Sequence, residues 1–290
     1  MQLLQIFKVD FSKTQELMVN NFREVFIEQG NGITKIESPF VQESDYTNYI
    51  SSLIHEFDLD ISLEKPFSEK VIYHQFRLTL THPVVTKGKY GLCLRVMAPT
   101  LPPKQWFEPY EKNEHFQKFK FQFHQGSSSL VVGSTGSGKT TLMAYLLNEL
   151  ESSERIITIE DIPEIQLSKE NVLQLCARNS LTHESKDITL SDLLRLSLRM
   201  RPDRIVIGEI RTHEAVPFIH ALNTGHEGSV ASIHGSSCRS ALHRLSLLMS
   251  TYQKGLSVKS AGEFISSSIH QLIFIPVSYT HLRAHETGRN

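Results

Sequence analysis

The strongest chemical signal in the sequence is a run of eight residues with the pattern of a phosphate-binding loop. Residues 133–140 read Gly-Ser-Thr-Gly-Ser-Gly-Lys-Thr, which fits G-x-x-x-x-G-K-[ST] at every fixed position. Glycines let backbone N–H groups curl around a phosphate chain without Cβ clashes. Lys139 is expected to neutralise the β- and γ-phosphates, and the Thr140 hydroxyl to ligate Mg²⁺. The predicted nucleotide-binding residues are Gly133, Ser134, Thr135, Gly136, Ser137, Gly138, Lys139, Thr140 and Thr141.

Hydrolysis of a bound nucleotide needs carboxylates as well as a phosphate loop, and two strand-like segments end in them. Glu160 follows an apolar run that begins at Ile156, and Glu209 follows one that begins at Ile205. The carboxyl ends of parallel strands converge on one crevice, so both acids are expected to face the phosphates. The alternative is that Glu160 and Asp161 only begin a solvated loop and cap the next element.

The segments around these residues alternate between strand and helix patterns. Helices are predicted between six strands, which lie at residues 129–133, 155–160, 171–177, 204–208, 229–233 and 271–276. This alternation is typical of a largely parallel sheet with helices on both faces. It assigns residues 117–276 to one α/β domain.

Residues 1–100 have the pattern of a smaller α+β domain. The predicted elements are strands at 16–21, 24–28, 76–82 and 92–96, and a helix at 46–57. A proline-rich stretch then predicts a linker at residues 101–116, because proline removes a backbone donor and resists helix.

Composition and charge limit the class of protein. The 290 residues are 40% hydrophobic and 21% charged, which excludes disordered and collagen-like chains. The net charge of −1 gives no bulk attraction to nucleic acid, so direct nucleic-acid binding is not expected. Cys93, Cys176 and Cys238 are widely spaced and form no CxxC pair, which fits a reducing compartment. Without a signal peptide or an apolar run near the ~20 residues that span a bilayer, we expect a cytoplasmic protein with no transmembrane segment.

The last stretch of the chain, residues 277–290, differs from the rest. It is polar, lacks a clear period and abruptly follows a strand that reads as buried. Its sequence closely resembles the translation of a transposase-type sequencing-library adapter. We therefore expect a non-native tail and a native C-terminus that is missing after residue 276. The alternative is a metal-binding tail that uses His281 and His285.

Four segments together resemble the secretion-superfamily ATPases, which drive type II and type IV secretion, pilus assembly and conjugation. In the order of that family they are a Walker A loop, an acidic box, a Walker B strand and a histidine box, at residues 133–141, 159–164, 197–211 and 223–234. The amino-acid sequences of the second and third segments are similar to those of the tight-adherence pilus and conjugation branch of the family. The resemblance implies a RecA-like P-loop ATPase domain after a small α+β, PAS-like domain, with ATP and Mg²⁺ as cofactors.

The resemblance also implies roles for single residues. Glu160 is similar to the acid that polarises the attacking water, and Glu209 to the Walker B acid that holds Mg²⁺. Gly208 stands where generic P-loop enzymes have an aspartate, as is normal in this family. His226 and His234 resemble the histidine-box positions that sense the γ-phosphate. A lone histidine on an apolar strand such as His234 is, alternatively, typical of a buried core residue.

Arg77 and Arg95 match strand arginines that the family brings to the nucleotide across an interdomain cleft. Developing γ-phosphate charge favours planar, permanently charged donors, whereas the alternative for both is a solvent-facing strand arginine. A second arginine cluster surrounds the Walker B strand. It is interpreted as a subunit or phosphate contact, or as partners of Asp203 and Glu209. Its members are Arg199, Arg201, Arg204 and Arg211.

The resemblance implies a motor ATPase that forms a homo-oligomeric ring of six subunits, peripheral at the inner membrane. Its implied partner is a membrane-embedded secretion or pilus platform protein. One alternative is a conjugation-type ATPase that moves DNA or effector proteins, although the near-zero charge disfavours direct DNA handling. The other alternative is a nucleotide-dependent interaction module that does not hydrolyse ATP.

Overall fold

The chain divides into two compact units, Met1–Pro99 and Thr100–Asn290. The computed structural model describes residues 2–30, 32–73, 75–97, 104–178 and 187–276. The predicted non-native tail at 277–290, with its two histidines, lies outside the described residues, as does the start of the predicted linker.

The first unit is built on a six-stranded antiparallel sheet. Its spatial order is β3-β2-β1-β6-β5-β4. The strands are β1 (Thr14–Asn21), β2 (Glu24–Gln29), β3 (Gly32–Ile36), β4 (Phe67–Ile72), β5 (Phe76–Thr81) and β6 (Gly91–Val96). One long helix, α1 (Glu43–Glu56), follows β3, and short 3₁₀ helices lie at Gln2–Phe7 and Pro83–Val85.

Alternation along the central strands decides which face of this sheet is covered. In β5, Phe76, Leu78 and Leu80 are buried, whereas the residues between them are only partly so. These side chains form one core with Ile50 and Leu53 of α1. Since neighbouring side chains on a strand point to opposite faces, the polar residues of β5 and β6 project from the face opposite α1.

The second unit is built on a six-stranded parallel sheet with the order β12-β7-β11-β10-β8-β9. Its strands are β7 (Ser129–Gly133), β8 (Ile156–Glu160), β9 (Val172–Cys176), β10 (Arg204–Ile210), β11 (Val230–His234) and β12 (Gln271–Ile275). Its helices are α2 (Glu108–Glu111), α3 (Glu114–His124), α4 (Lys139–Asn148), α5 (Leu190–Ser197), α6 (Ala215–Asn223), α7 (Cys238–Tyr252) and α8 (Val258–Ser268). No helix in the described ranges combines the length and apolar character that crossing a bilayer requires.

Helices cover both faces of the parallel sheet. On β7, Val131 packs into a core with α3 and α4, whereas Leu130 and Val132 pack into a core with the helices α5 to α8. Strands covered on both sides carry near-continuous apolar runs, which is the pattern that the sequence shows. The arrangement confirms the predicted α/β class and its parallel sheet.

Residues 104–116 are largely helical, although the proline-rich stretch to which they belong predicted a linker. A 3₁₀ helix at Lys104–Trp106 leads into α2, and Pro109 lies in the first turn of α2. The missing N–H of proline has no effect there, because the first N–H groups of a helix have no partner within the helix. Phe107 is buried and stacks on Tyr145 of α4 with ring centroids 3.9 Å apart. This segment therefore packs as part of the second unit.

Candidate active site

The loop between β7 and α4 has the shape of a phosphate cradle. An added Cβ at Gly133 would lie 2.3 Å from Ser137 Oγ and 2.9 Å from the carbonyl oxygen of Ile275, so only glycine fits there. Gly136 and Gly138 have φ angles of 73° and 92°, in the left-handed region that favours glycine. Gly138 directly precedes α4, whose first N–H groups lack partners within the helix and favour an anion beside them.

Lys139 lies folded into this loop. Its ammonium group donates to the carbonyl oxygens of Gly133 at 3.1 Å and Ser134 at 2.8 Å, and the residue is buried. Burial lowers the pKa of Lys139, and the carboxylate of Glu209 opposes that shift. A partly desolvated cation whose only hydrogen bonds within the described chain go to its own loop is well prepared for phosphate oxygens.

Two oxygen donors were predicted for Mg²⁺. Thr140 lies in the first turn of α4, and Glu209 lies near the carboxyl end of β10. Mg²⁺ prefers hard oxygen ligands and is usually held by one or two protein groups together with substrate phosphates and water. Within the described ranges, no group of three or more His, Cys, Asp or Glu side chains could hold a metal ion. The donor set fits an Mg²⁺ ion that arrives with a nucleotide.

Glu160 ends β8 and is 3% exposed. Its Oε1 accepts the backbone N–H groups of Glu164 and Ile165, each at 3.0 Å, whereas its buried Oε2 has no hydrogen-bond partner within the described chain. Burial raises the pKa of this carboxyl to about 7, against the lowering effect of the two N–H donors and of the Thr158 hydroxyl. The geometry of the Thr158 hydroxyl towards the carboxylate is poor, since neither that hydroxyl nor Oε2 has a well-aligned hydrogen bond in the described chain. A carboxylate held firmly at one oxygen can accept a proton from water at the other. This burial contradicts the alternative of a solvated loop for Glu160, although Asp161 beside it is exposed.

Gly208 makes room for Glu160. The strands β8 and β10 are neighbours, with Ile159 opposite Ile207. A Cβ at residue 208 would lie 3.0 Å from Cγ of Glu160 and 3.5 Å from its Oε1. The glycine that stands at the usual aspartate position therefore leaves space that the Glu160 side chain uses.

Glu209 lies at an irregularity of β10. The register of β10 with β11 shifts between Ile207 and Ile210, which is typical of a β-bulge. The Ser232 hydroxyl of β11 donates to the carbonyl oxygen of Gly208 at 2.6 Å. Bulges are common beside active sites, and Gly208 and Glu209 are the two residues within this irregularity.

The structure places the two predicted histidines at opposite edges of the parallel sheet. His234 ends β11 and lies beside Gly133 in the strand register, at the edge that carries the phosphate loop. His226 precedes β11, so the polarity of the strand puts it at the amino edge; its Nδ1 is buried without a hydrogen-bond partner in the described chain. Of the two histidines, only His234 therefore lies near the loop.

The two predicted arginines lie in the first unit. Arg77 of β5 is directly opposite Arg95 of β6, so both side chains project from the face opposite α1. Like charges at such positions repel each other and need nearby anions. Glu69 is 3.2 Å from Arg77, and Glu16 is the register partner of Arg95 on β1. Their role at the nucleotide stays a prediction.

Two members of the second arginine cluster have defined partners. Arg211 binds Glu209, with Nη2 at 2.7 Å and Nε at 3.1 Å from the same carboxylate oxygen. The interpretation of Arg211 as an ion-pair partner of Glu209 is thus confirmed. Arg204 is buried at the start of β10 and binds the Glu154 carboxylate instead of Asp203. The sequence could not indicate the pairing of Arg204 with Glu154, because the two residues are 50 positions apart.

The fold and the site define a P-loop α/β protein that is preceded by an antiparallel domain. Comparison with known proteins identifies its family. Residues 75–274 match the family model described as "Type II/IV secretion system protein". The type IV secretion system protein PtlH of Bordetella pertussis is 30% identical over 258 residues, which cover 80% of this chain and 76% of that protein. The chain belongs to the type II/IV secretion system protein family, as the resemblance predicted.

A further relative is similar over a shorter segment. A putative conjugal transfer protein of Mycobacterium tuberculosis is 44% identical over 107 residues, which are 37% of this chain. The match spans 30% of the length of that relative.

Solved structures share the fold. The VirB11 ATPase of the Brucella suis type IV secretion system, in complex with sulphate, matches with a TM-score of 0.51 and 26% identity, over 94% of this chain and 87% of that one. The Legionella pneumophila ATPase DotB matches with a TM-score of 0.66 and 19% identity, over 94% of this chain and 74% of that one. At that identity the second match concerns the fold alone. Together they confirm the predicted fold class.

Proposed function

We propose that this chain binds ATP with Mg²⁺ at residues 133–141 and hydrolyses it as a motor ATPase of the type II/IV secretion family. The observation that carries the proposal is the presence, at one edge of the parallel sheet, of a buried lysine inside a phosphate-type loop and of a buried carboxylate that the backbone holds by one oxygen. These residues are Lys139 and Glu160. Fold similarity alone would not support an activity, whereas this pair has the chemistry that hydrolysis needs.

Binding is assigned to the loop and to two oxygen donors. The N–H groups at the start of α4 and the Lys139 ammonium hold the β- and γ-phosphates. Thr140 and Glu209 would hold Mg²⁺ or its water ligands, and the ion would supply positive charge to the phosphates. All nine predicted loop residues lie between the end of β7 and the first turn of α4, which is the position that such a cradle requires.

Cleavage is assigned to Glu160. Its Oε1 is fixed by two backbone N–H donors, so its Oε2 can orient a water molecule and take the proton that the water loses. His234, beside Gly133, is the histidine proposed to sense the γ-phosphate. We propose that Arg77 and Arg95 supply positive charge to the transferred phosphoryl group.

The cellular role is proposed by relation. PtlH and VirB11 are named as type IV secretion proteins, and a solved neighbour is the pilus retraction motor PilT with bound ADP. We infer that this chain assembles as a homo-hexamer and acts in the cytoplasm, peripheral to the inner membrane. Its proposed partner is a secretion or pilus platform protein, and it powers pilus assembly or protein secretion without direct binding of nucleic acid.

A conjugation-type ATPase is the second candidate. The 44% identity to a putative conjugal transfer protein over 107 residues favours it. Stimulation of ATP turnover by single-stranded DNA would favour this candidate, whereas turnover indifferent to DNA and stimulated by membranes containing a platform protein would favour the first.

The decisive experiment measures Mg²⁺-dependent ATP hydrolysis and ADP binding by the full chain. Lys139→Ala should lose both. Glu160→Gln should keep binding and lose turnover by about 100-fold or more, because the water loses its proton acceptor. Lys259→Ala and Glu263→Gln remove the same charges from exposed positions on α8 and should behave like the parent.

A parent that binds nucleotide without turnover would contradict the motor. It would favour the third reading, a nucleotide-dependent interaction module. A parent that binds no nucleotide at all would overturn the proposed site itself.

A further inference from the structure

Arg211 occupies the carboxylate that the proposed function gives to Mg²⁺. Two of its nitrogens, Nη2 and Nε, bind one oxygen of Glu209 at 2.7 and 3.1 Å. Its third nitrogen, Nη1, lies 3.4 Å from Oδ2 of Asp161. The guanidinium thereby connects the carboxyl ends of β10 and β8.

The backbone beneath Arg211 is firmly held, in contrast to its side chain. Glu214 is buried and accepts the backbone N–H groups of Arg211 and Thr212 and the Thr212 hydroxyl. The Arg211 side chain, however, is 56% exposed. A planar cation on a fixed backbone, with more than half of its surface in solvent, can leave its partner without disturbing the fold.

Mg²⁺ and a guanidinium compete for the same carboxylate. Glu209 has one oxygen in contact with two guanidinium nitrogens, and a divalent cation beside that oxygen would repel them. Lys139 already adds positive charge nearby, since Arg211 is among the charges that lower its pKa. With Lys139 and Arg211 already close to Glu209, Mg²⁺ would be the third cation beside this carboxylate, and phosphate charge would offset the repulsion.

We propose that Arg211 is an exchangeable counter-ion of Glu209, which holds the carboxylate in place in the nucleotide-free protein and must leave it when Mg²⁺ arrives with nucleotide. This inference rests on the proposed nucleotide site. The exchange would break the connection that Arg211 makes between Asp161 and Glu209. Arg211 is thus a positioning residue that links metal arrival to the loop after β8.

The test is the Mg²⁺ dependence of ADP binding by the full chain, measured from EDTA through a Mg²⁺ titration. With its competitor removed, Arg211→Ala should need about three- to tenfold less Mg²⁺ for the half-maximal effect. The direction of this shift is informative. If Arg211 only supported the structure of the site, its removal would raise the Mg²⁺ requirement. Arg195→Ala removes an exposed arginine that pairs with Asp192 on α5 and should leave the midpoint unchanged.

Arg211→Lys separates exchange from a general effect of charge. Lysine keeps the positive charge but cannot place two guanidinium donors on one oxygen, so its Mg²⁺ midpoint should also fall, by a smaller factor. A wild-type midpoint in Arg211→Lys, or an unchanged or higher midpoint in Arg211→Ala, overturns the proposal. Absence of ADP binding in the parent would instead overturn the proposed function.

Discussion

Both edges of the parallel sheet contain a buried charged side chain, but the hydrogen bonds of these two side chains differ. At the amino edge, Arg204 donates to the Glu154 carboxylate and to the carbonyl oxygens of Phe123, His124 and Gly228. At the carboxyl edge, Glu160 has a buried oxygen without a partner in the described chain.

For these two charged residues, the difference separates a group that holds the fold from a group that can serve a ligand. Leaving a buried polar atom unpaired is unfavourable, so native proteins rarely keep one without a reason. Arg204 joins α3, β10 and the loop before β11, and nothing about its environment needs an additional molecule. Oε2 of Glu160, by contrast, has no well-aligned hydrogen bond in the described chain and can bind a water molecule. The comparison makes opposite predictions for substitutions at the two edges.

The largest expected effect on stability is at the amino edge. Arg204→Ala leaves the Glu154 carboxylate and three carbonyl groups without their donor, so the free energy of unfolding should fall by about 3 kcal/mol or more. Chemical denaturation of the full chain measures it, with the exposed Arg195→Ala as the matched control. A loss below about 0.5 kcal/mol, the range of ordinary surface substitutions, would remove the structural assignment of Arg204.

At the carboxyl edge, stability should instead depend on pH through Glu160. Its carboxyl has a pKa of about 7 in the folded protein against an ordinary value of 4.5, so the folded state binds more protons between these values. The contribution of Glu160 to the free energy of unfolding is therefore most favourable below about pH 4.5. It declines by about 2–3 kcal/mol as pH rises towards 7. Glu160→Gln does not ionise and should not show this decline.

The measurement is the difference in unfolding free energy between Glu160→Gln and the parent across that pH range. Taking this difference cancels the pH dependence that comes from the other titrating groups. The difference should move in favour of the variant as pH rises. Exposed Glu263→Gln should show no such trend. A difference that is flat with pH would mean that Glu160 ionises normally, and the assignment of a poised proton acceptor would fail.

The contact between Gly208 and Glu160 gives the next prediction. Gly208→Ala places a methyl group 3.0 Å from Cγ of Glu160, so the carboxylate must shift from its two N–H donors. We expect turnover to fall by about tenfold or more while ADP affinity stays close to that of the parent, since small displacements of catalytic groups have large effects on rate. Gly262→Ala, on α8 with 3.6 Å to the nearest atom, is the control and should keep full turnover. Equal losses in both variants would argue against the contact.

The parts of the site that were predicted from sequence are those with a local signal. The phosphate loop has a fixed spacing, and the acids at 160 and 209 directly follow apolar strands, so strand polarity places them correctly. The same polarity argument, applied to His226 and His234, would have separated them, because one precedes and the other ends β11.

Other features depend on contacts between distant segments. The space that Gly208 leaves for Glu160 arises from the pairing of β8 with β10, whose residues are nearly 50 positions apart. The helical segment of residues 104–116 packs through Phe107, which stacks on Tyr145. The proline content of the segment could not indicate this contact. Single-sequence patterns describe a segment, whereas these properties belong to pairs of segments.

The smallest expected effect concerns the hydroxyl that supports the bulge. Ser232 is buried and donates to the carbonyl oxygen of Gly208, directly before Glu209. Ser232→Ala removes this donor and leaves the carbonyl unsatisfied, which should weaken the hold on Glu209 by about 1 kcal/mol. We expect a roughly fivefold higher Mg²⁺ requirement for ADP binding.

The matched control is Ser246→Ala on α7, a buried serine that donates to the carbonyl of Leu242 in its own helix. Both changes remove one buried hydroxyl, but the Leu242 carbonyl lies within α7, where the backbone N–H of residue 246 bonds to it, so Ser246→Ala should lower stability less. Only Ser232→Ala should change the Mg²⁺ requirement. Its direction is opposite to the one expected for Arg211→Ala, because Ser232 holds Glu209 in the position that Mg²⁺ uses whereas Arg211 occupies that position. Matching shifts of the same sign in these two variants would mean that both act through a general loosening of the carboxyl edge.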